Sequence, residues 1–373
     1  MFRLVGKVNT CSLSSCLAVF RPDGALSRKP GLPFLAPSPY IFMNVFELTR
    51  ALIDIDSVTP NEERVGEFLF EVLSKLPGAQ VERMDVEPHR FNVFAHWGNP
   101  VVVLSTHMDT VPPFFPSRED DEFIWGRAAC DTKGIIASMI HAAQGLLRDG
   151  TKDLGLMFFV GEERNSIGAF TAAKQPRGSR YIINGEPTDN KLALGSKGAL
   201  RYEIVAHGRM AHSAYPHLGE SAIEKLLDVL QCVRTMPMQH DPLFGPATVN
   251  IGTIQGGRAP NVIPDYAKAE VFFRLVDDGS STRIAMNNIA GEKVELTEGY
   301  CMPAMRFGQL DGFETCVVSY VTDISALGNS WGEPFLLGPG SIHFAHTAEE
   351  RIPKTEILEA VQIYQTMVRQ LLK

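Results

Sequence analysis

His107 and Asp109 stand directly after an apolar run and have the residue types and spacing of a metal ligand with its supporting carboxylate. The run, residues 101–104, predicts a buried strand of a parallel sheet, and chemistry in open α/β sheets occurs at the carboxyl ends of such strands. An imidazole that binds a metal usually donates its other ring N–H to a carboxylate or a carbonyl, and Asp109 is placed to accept it. An isolated His-x-Asp is more commonly a polar strand end, so the interpretation depends on whether the pattern recurs.

Further acids follow apolar segments or open helices in the same part of the chain. Asp131 precedes a helix predicted over residues 133–147, where it is either a metal ligand or the helix N-cap, since Asp is among the favoured caps. Glu162 and Glu163 end the apolar run 154–161. Adjacent glutamates most often form a solvated turn, but these two end a run that should be buried, and unpaired buried carboxylates are costly.

Glu186 and His346 complete the set of strand-end polar side chains. Alone, Glu186 could cap the following segment and His346 could be a surface histidine, as His343 is expected to be. Two metal ions a few ångström apart need one bridging carboxylate plus one carboxylate and one imidazole each. The collected residues supply these ligands and leave one acid over as a candidate base; they are His107, Asp131, Glu162, Glu163, Glu186 and His346.

The elements that must position these residues alternate between helix and strand. Asn44 and Glu47 form a capping-box signature before a first helix, and Thr59 with Pro60 predicts the start of a second helix. Strands are predicted over residues 81–86, 91–96, 101–106, 154–160 and 181–183. This alternation predicts an α/β fold with a mainly parallel sheet and helices on both faces.

The order of elements changes after Lys197. The patterns that follow predict the order β-α-β-β-α-β, which is that of a small, ferredoxin-like second domain. A short strand over residues 334–337 and a C-terminal helix from Pro353 then complete the first domain. The predicted N-terminal extension is residues 1–42. The predicted catalytic domain has two parts, residues 43–196 and 301–373, and the inserted domain between them is residues 197–300.

Composition restricts the classes of function. The 373 residues carry a formal net charge of -8, which argues against nucleic acid as the main partner, and no apolar stretch is long enough to span a bilayer. The six cysteines lack both metal-finger spacing and the density of a secreted disulfide scaffold. A cytoplasmic location with reduced thiols is therefore expected.

Residues 1–42 differ in composition from the rest of the chain, with five basic residues against one acid. Such a segment is either a targeting leader or the product of a start assigned too early, with Met43 as the true initiator. The lack of a small-residue cleavage site after an apolar core favours the second interpretation.

Five motifs around the candidate ligands resemble the co-catalytic zinc hydrolases of peptidase family M20, the group of acetylornithine deacetylase, succinyl-diaminopimelate desuccinylase, aminoacylase and carboxypeptidase G. The motifs are THMD at His107, GRAACDTKG at Asp131, GEE at Glu162, GEPT at Glu186 and GPGSIHFAHTAEE at His346. They occur in family order, and the match spans residues 44–373. The resemblance implies a zinc-aminopeptidase-like catalytic domain with an inserted lid and dimerisation domain.

The resemblance also implies a role for each of these residues. It implies two zinc sites that share a bridging carboxylate: the first is His107, Asp131 and Glu186, and the second is Asp131, Glu163 and His346. Cobalt or manganese would be able to substitute for zinc. Asp109 would support His107, and Glu162 would be the general base.

Residues outside the metal motifs are assigned by the same resemblance. His212 in HGRMAHSAYP matches the histidine that such enzymes send across the dimer to polarise the scissile carbonyl. Asn261 in GGRAPNVIP and Arg274 in VFFRL match positions that hold the substrate carboxylate, and Gly340 in GPG is assigned to substrate binding. The chain departs from the family at Ala128, where a glycine is common.

The expected reaction is metal-dependent hydrolysis of the amide bond of an N-acyl amino acid. Acetylornithine-type deacetylation in amino-acid biosynthesis is the first choice, and succinyl-diaminopimelate desuccinylation or the action of an M20 dipeptidase or carboxypeptidase is the alternative. The expected partners are a small N-acyl amino acid or short peptide and a second copy of the chain, with neither nucleic acid nor membrane. A non-catalytic binding homologue should lack a ligand or the base, and here every expected position is filled. A scaffold that only dimerises would have no metal-dependent activity and no need for His212.

Overall fold

The computed structural model describes residues 43–373, and the predictions for residues 1–42 lie outside that range. Its helices are α1 Val45–Ile53, α2 Glu63–Ser74, α3 Gly134–Arg148, α4 Ile167–Ala173, α5 Ala222–Thr235, α6 Ser280–Ala290, α7 Asp323–Leu327 and α8 Lys354–Leu371. Its strands are β1 Gln80–Glu87, β2 Arg90–Trp97, β3 Val102–His107, β4 Arg118–Glu119, β5 Phe123–Trp125, β6 Leu154–Phe159, β7 Tyr181–Asn184, β8 Leu192–Ser196, β9 Gly198–His207, β10 His240–Asp241, β11 Gly245–Pro246, β12 Thr248–Gly256, β13 Tyr266–Leu275, β14 Glu295–Met302, β15 Met305–Arg306, β16 Thr315–Val318, β17 Glu333–Leu336 and β18 Arg351–Pro353.

The larger sheet has nine strands in the order β1-β2-β6-β3-β7-β17-β8-β15, with β16 beside β8. The central strands β6, β3, β7 and β17 run parallel, while β1, β2, β8 and β15 join the sheet through antiparallel pairs. The register pairs His107 of β3 with Phe159 of β6, and Ser105 of β3 with Asn184 of β7. The carboxyl ends of β3, β6 and β7 therefore meet at one edge of the sheet.

Helices cover both faces of this sheet, which is why β3 and β6 are buried along their whole length. Leu104 of β3 packs into a core formed with α1, α2, α3 and α8, whereas its neighbour Val103 points to the opposite face. There it packs with residues of α4 and α7 and with Trp331. The predicted α/β fold with helices on both faces is confirmed, and the sheet is mixed at its margins.

A second, four-stranded sheet has the order β12-β13-β9-β14, with all neighbours antiparallel. Together with α5 and α6 it follows the predicted order β-α-β-β-α-β along the chain. Alternate residues such as Leu200, Val271 and Phe273 pack with α5 in a core of their own. The other face of the sheet carries polar and aromatic side chains, among them Arg201 and Arg274.

Two predicted helix starts had different outcomes. The capping box before α1 is present, because the side chain of Asn44 accepts from the N–H of Glu47 and the Glu47 carboxylate accepts from the N–H of Asn44. The predicted start of the second helix at Thr59 is wrong, since α2 begins at Glu63. The hydroxyl of Thr59 donates instead to a carboxylate at the sheet edge, 50 residues along the chain.

No helix within residues 43–373 combines the length and the apolar character that a membrane crossing requires.

Candidate metal centre and pocket

Three parallel strands deliver acids and a histidine to one edge of the larger sheet. His107 is the last residue of β3, Glu162 and Glu163 lie in the turn that follows β6, and Glu186 follows β7 by two residues. Because β3 pairs with both β6 and β7, these side chains converge over the end of β3.

Two loops bring the remaining candidate ligands to the same place. Asp131 lies in an irregular helical turn, Ala129–Lys133, and α3 begins only at Gly134, so Asp131 is not the N-cap of that helix. His346 lies in the loop after β17 with a φ of 63°, a left-handed conformation that is uncommon for residues other than glycine. Such conformations concentrate at functional sites, where the surrounding structure holds them.

The carboxylate of Asp131 lies between two imidazoles. Its Oδ1 is 3.0 Å from Nε2 of His107, and its Oδ2 is 3.3 Å from Nε2 of His346. Each imidazole also faces a second carboxylate: Oε2 of Glu186 is 4.0 Å from Nε2 of His107, and Oε1 of Glu163 is 3.0 Å from Nε2 of His346. One shared carboxylate with one further acid and one imidazole on each side is the ligand pattern expected from the sequence.

Burial makes this cluster costly without a cation. His107, Asp131 and Glu186 are 1%, 6% and 5% exposed, and Oε1 of Glu186 has no hydrogen-bond partner among the described residues. The acids, with Glu162 and Glu163, outnumber the imidazoles, so a divalent cation would supply both the missing positive charge and a partner for the free oxygen. Histidine and carboxylate donors of this kind suit zinc, and also cobalt or manganese, so the residues present fit the implied metal.

The electrostatics of the cluster follow from burial and close partners. Burial raises the pKa of Glu162 and of Glu186 well above the ordinary range, although His107 opposes the rise. Hydrogen bonding to Asp131 and Glu163 raises the pKa of His346 to about 10. Burial alone would raise the pKa of Asp131, but the two imidazoles outweigh it and lower that pKa. Asp131 is therefore the carboxylate that the cluster most strongly favours in its charged form.

Asp109 contacts more than the histidine it was expected to support. Nδ1 of His107 lies 3.1 Å from the main-chain oxygen of Asp109 and 3.5 Å from its carboxylate oxygen Oδ1. The same carboxylate accepts hydrogen bonds from the main-chain N–H groups of Glu162 and Glu163, at 3.1 and 3.2 Å, and from the hydroxyl of Thr59 at 2.6 Å. Asp109 thus links the first histidine to the loop that carries the adjacent glutamates.

A buried ion pair holds the loop of Asp131 from behind. Nη1 of Arg127 lies 2.6 Å from Oε2 of Glu350, and both side chains are almost fully buried. The other oxygen, Oε1 of Glu350, accepts from the N–H of Asp131 at 3.4 Å and lies 3.7 Å from Sγ of Cys130. Both charged residues lie inside motifs noted in the sequence, GRAACDTKG and GPGSIHFAHTAEE, but their pairing was not predicted.

Gly340 packs against the loop that carries Asp131. Its φ of 88° and the 2.6 Å separation between a Cβ at this position and Cβ of Cys130 both require glycine. Its N–H donates to Oε2 of Glu356 at 2.7 Å and is engaged there. Gly340 is not among the residues that line the cavity beside the cluster, and its assignment to substrate binding stays a prediction.

A cavity of about 520 Å³ lies against the metal-ligand cluster. One side is formed by Glu162, Glu163 and His346, and the facing side is formed by the outer face of the smaller sheet, including Arg274 and Tyr300. The cavity thus has acids on one wall and an arginine on the other, which suits a substrate with a carboxylate at one end.

Arg274 is half-buried in that facing wall. Its guanidinium lies over the ring of Phe272, 4.8 Å from the centroid, and no carboxylate among the described residues forms an ion pair with it. Its neighbour on the wall, Arg201, lies 3.6 Å from Glu270, its one ion-pair partner within residues 43–373. An arginine without a partner beside a cavity is placed to bind an anionic group.

His212 and Asn261 lie together but outside the cavity. The N–H of Ser213 donates to the main-chain oxygen of Asn261 at 3.0 Å, and His212 pairs with Val262. Both residues are exposed, and neither lines the cavity. Within one chain, the structure does not bring them to the metal cluster.

Comparison with known proteins identifies the family. The peptidase dimerisation domain of the M20 family matches residues 194–293. A peptidase M20 domain-containing protein of Schizosaccharomyces pombe is 39% identical over 338 residues, covering 87% of this chain and 84% of the relative. The chain belongs to the peptidase M20 family. A probable carboxypeptidase of Aspergillus terreus is 36% identical over 95% of this chain and 89% of its own length.

Solved structures agree with this M20 fold. A tripeptidase from Staphylococcus aureus superposes with a TM-score of 0.77 at 21% identity, covering 88% of this chain and 98% of that one. An M20 family metallo-carboxypeptidase from Sulfolobus solfataricus gives a TM-score of 0.69 at 15% identity, with 87% and 98% covered. At these identities the likeness concerns the fold alone.

Asp323 of this M20 peptidase lies close enough to the cluster to interact with its charges, which the sequence did not predict. It is fully buried at the start of α7, and among residues 43–373 neither carboxylate oxygen has a hydrogen-bond partner of normal geometry. The nearby Ser166 hydroxyl still favours its charged form. Burial raises its pKa to about 7, with His107 and Asp109 among the charges that act on it. No spacing or periodicity in the sequence indicated that Asp323 would be buried beside the cluster.

Proposed function

We propose that this M20 peptidase is a two-zinc carboxypeptidase that hydrolyses the amide bond before the C-terminal residue of a short peptide or an N-acyl amino acid. The observation that carries the proposal is the carboxylate of Asp131 between His107 and His346, with Arg274 lining the cavity that His346 also lines. The names of the Aspergillus relatives, which are probable carboxypeptidases, support this alternative over acetylornithine-type deacetylation. The narrower deacetylase hypothesis stays a prediction to be tested against it.

The proposed metal ligands divide around the shared carboxylate of Asp131. One zinc ion would be held by His107, Asp131 and Glu186, and the other by Asp131, Glu163 and His346. Bound there, the ions would lower the pKa of a water molecule and polarise the scissile carbonyl. Cobalt and manganese accept the same donors and would be able to replace zinc.

Glu162 is proposed as the general base. It lines the cavity beside Glu163, and Asp109 holds its main-chain N–H. Its carboxylate takes a proton from the attacking water and gives it to the nitrogen of the leaving amine, so that both proton transfers use one group. The reaction adds water across the amide bond and yields a carboxylate and a free amino acid.

Arg274 is proposed to hold the C-terminal carboxylate of the substrate. A guanidinium presents two N–H groups that match a carboxylate, and no acid in the described part of the chain forms an ion pair with Arg274. Substrates with a free C-terminal carboxylate should therefore be cleaved at least about 100-fold faster, by kcat/KM, than the same peptides amidated at the C-terminus. The measurement is a panel of dipeptides, N-acetyl amino acids including N-acetylornithine, and their amides.

The variant Arg274→Met should remove most of that preference, whereas Arg234→Met, at an exposed position of α5, should keep it. Equal cleavage of acids and amides by the wild-type protein would contradict the carboxypeptidase assignment. A preference for N-acetylornithine over every dipeptide would return the deacetylase to first place.

A homodimer is proposed to complete the site. The match to the peptidase dimerisation domain supports it, as does β12, an edge strand with Ile254 55% exposed. His212 and Asn261 are exposed outside the cavity of their own chain, so we propose that His212 of a second copy polarises the scissile carbonyl. Asn261 would hold the substrate carboxylate from the same second copy.

Mixing two inactive variants tests this exchange of residues between copies. After subunit exchange, Glu162→Gln mixed with His212→Ala should recover about a quarter of wild-type activity, because half of the dimers then contain one intact site. Each variant mixed with itself is the control. Recovery that stays at the level of the separate variants, in a mixture shown by light scattering to be dimeric, would place His212 in its own chain.

Domain limits and location remain proposals as well. We propose a catalytic domain of residues 43–196 with 301–373 and an inserted domain of residues 197–300. The match over residues 194–293 and the separate core of the smaller sheet support these limits. A cytoplasmic location is proposed on the cysteine content of the sequence.

A further inference from the structure

We propose that Thr59 is a positioning residue that sets the place of Glu162 and Glu163 through the carboxylate of Asp109. The inference rests on the proposed function, in which Glu162 is the general base and Glu163 a metal ligand. Thr59 touches neither substrate nor metal ligands in this assignment, so its effect on turnover passes through Asp109.

The turn that carries Thr59 is attached to the segment after β3 by several hydrogen bonds. The Ser57 hydroxyl donates to the main-chain oxygen of Met108 at 3.0 Å, and the N–H of Thr110 donates to the main-chain oxygen of Ser57 at 3.2 Å. The N–H of Thr59 donates to the main-chain oxygen of Thr110 at 3.1 Å. The turn between α1 and α2 therefore keeps a fixed position relative to Asp109.

The carboxylate of Asp109 is fully buried, and both of its oxygens accept from the loop that carries Glu162 and Glu163, while one of them also accepts from the turn. Oδ1 accepts from the N–H of Glu162 at 3.1 Å. Oδ2 accepts from the N–H of Glu163 at 3.2 Å and from the Thr59 hydroxyl at 2.6 Å. One planar carboxylate accepts all three hydrogen bonds. The hydroxyl of Thr59 therefore orients this carboxylate, and the carboxylate in turn orients the two main-chain N–H groups.

Other contacts hold the ends of this loop but not its two central amides. The side chain of Asn92 accepts from the N–H of Val160 at 3.1 Å and donates to the main-chain oxygen of Gly168 at 2.9 Å. These bonds anchor the end of the β6 segment and the start of α4. Among the described residues, Asp109 is the side-chain acceptor for the main-chain N–H groups of Glu162 and Glu163. The orientation of its carboxylate therefore sets the main-chain position of both glutamates.

The competing explanation, that Thr59 serves the start of α2, does not fit the structure. Its hydroxyl is taken by Asp109, and α2 starts at Glu63 with no side-chain hydrogen bond at its cap. Loss of the hydroxyl should therefore disturb the hydrogen bonds of Asp109 and leave the start of α2 intact.

Thr59→Val keeps the shape of the side chain and removes the donor. We expect kcat to fall about tenfold with KM nearly unchanged, because a hydrogen bond to a charged acceptor is lost and the cavity wall is intact. Thr59→Ser should restore most of kcat, since it keeps the hydroxyl. Thr49→Val is the matched control: it removes a buried hydroxyl that donates to Val45 in α1, at 2.8 Å, and should leave kcat at the wild-type value.

Hydrogen exchange of the metal-free protein gives a second readout that needs no turnover. In Thr59→Val, the amides of Glu162 and Glu163 should exchange about tenfold faster than in the wild type, and Thr49→Val should leave them unchanged. Unchanged exchange in Thr59→Val, or the same loss of kcat in both valine variants, would overturn the proposal. Faster exchange with wild-type kcat would overturn it too, because the bond would then have no part in positioning the base.

The two proposals fail in different ways. If Glu162→Gln kept full activity, the proposed function would be wrong, while the exchange of the two amides would still decide whether Thr59 holds the loop. If Glu162→Gln were inactive and Thr59→Val behaved like Thr49→Val, only the inference about Thr59 would be rejected.

Discussion

Replacing Glu162 by glutamine should lower kcat by about 10³-fold and leave the metal content of the protein unchanged. Glutamine has the size and shape of glutamate but cannot take a proton from water at neutral pH, and positioned acid–base catalysis contributes on the order of 10²–10⁴-fold. Glu162 lines the cavity but is not one of the acids that face the imidazoles of His107 and His346. The experiment measures kcat on the best substrate of the panel, with zinc per chain measured by mass spectrometry.

The adjacent acid is the matched control for this prediction. Glu163 faces His346 at 3.0 Å, so Glu163→Gln should lose affinity for one metal ion as well as activity. The two neighbouring variants therefore separate a base from a ligand. Near-normal turnover in Glu162→Gln would remove this residue from the mechanism, and loss of metal from Glu162→Gln alone would exchange the two roles.

The convergence of the acids was predictable because it depends on strand order and local pattern. Apolar runs before His107 and Glu162 predicted buried parallel strands, and parallel strands end at a common edge. The structure pairs β3 directly with β6 and with β7. Polar residues at the ends of such strands must lie close together whatever the details of their loops.

The state of Asp131 could not be decided from its position alone. A carboxylate just before a helical pattern fits a helix cap as well as a metal ligand. The choice depends on where the helix begins, and α3 begins at Gly134, beyond an irregular turn that directs Asp131 toward both histidines. Helix boundaries are the least certain part of a sequence pattern. Only the structure therefore shows which way this candidate ligand points.

The supporting contacts were missed because they join distant parts of the chain. Thr59 and Asp109 are 50 residues apart, and Arg127 and Glu350 are 223 residues apart. Neither pair leaves a periodic signal, and Thr59 before a proline matched a helix start equally well. The sequence indicates which residue types can do chemistry, whereas the hydrogen bonds that hold them depend on tertiary packing.

Removing the metal should abolish activity and destabilise the fold at the same time. A ligand that binds only the folded state stabilises it by about 4 kcal/mol at a thousandfold excess over its Kd, so chelation should lower the Tm by roughly 5–10 °C. The physical reason is the cluster itself, in which Glu186 has an unpartnered buried oxygen and the acids outnumber the imidazoles. Zinc added back should restore both turnover and Tm, as measured by calorimetry with and without chelator.

Asp131→Asn makes this prediction specific to the shared carboxylate. Asp131 faces both histidines, so its loss should weaken both metal sites and make the Tm of the variant insensitive to chelator. Asp311→Asn, at an exposed position far along the chain, should respond to chelator as the wild type does. A chelator-resistant activity, or an Asp131→Asn protein that still gains stability from zinc, would mean that the cluster is held together by its own hydrogen bonds and that the metal, if bound, lies elsewhere.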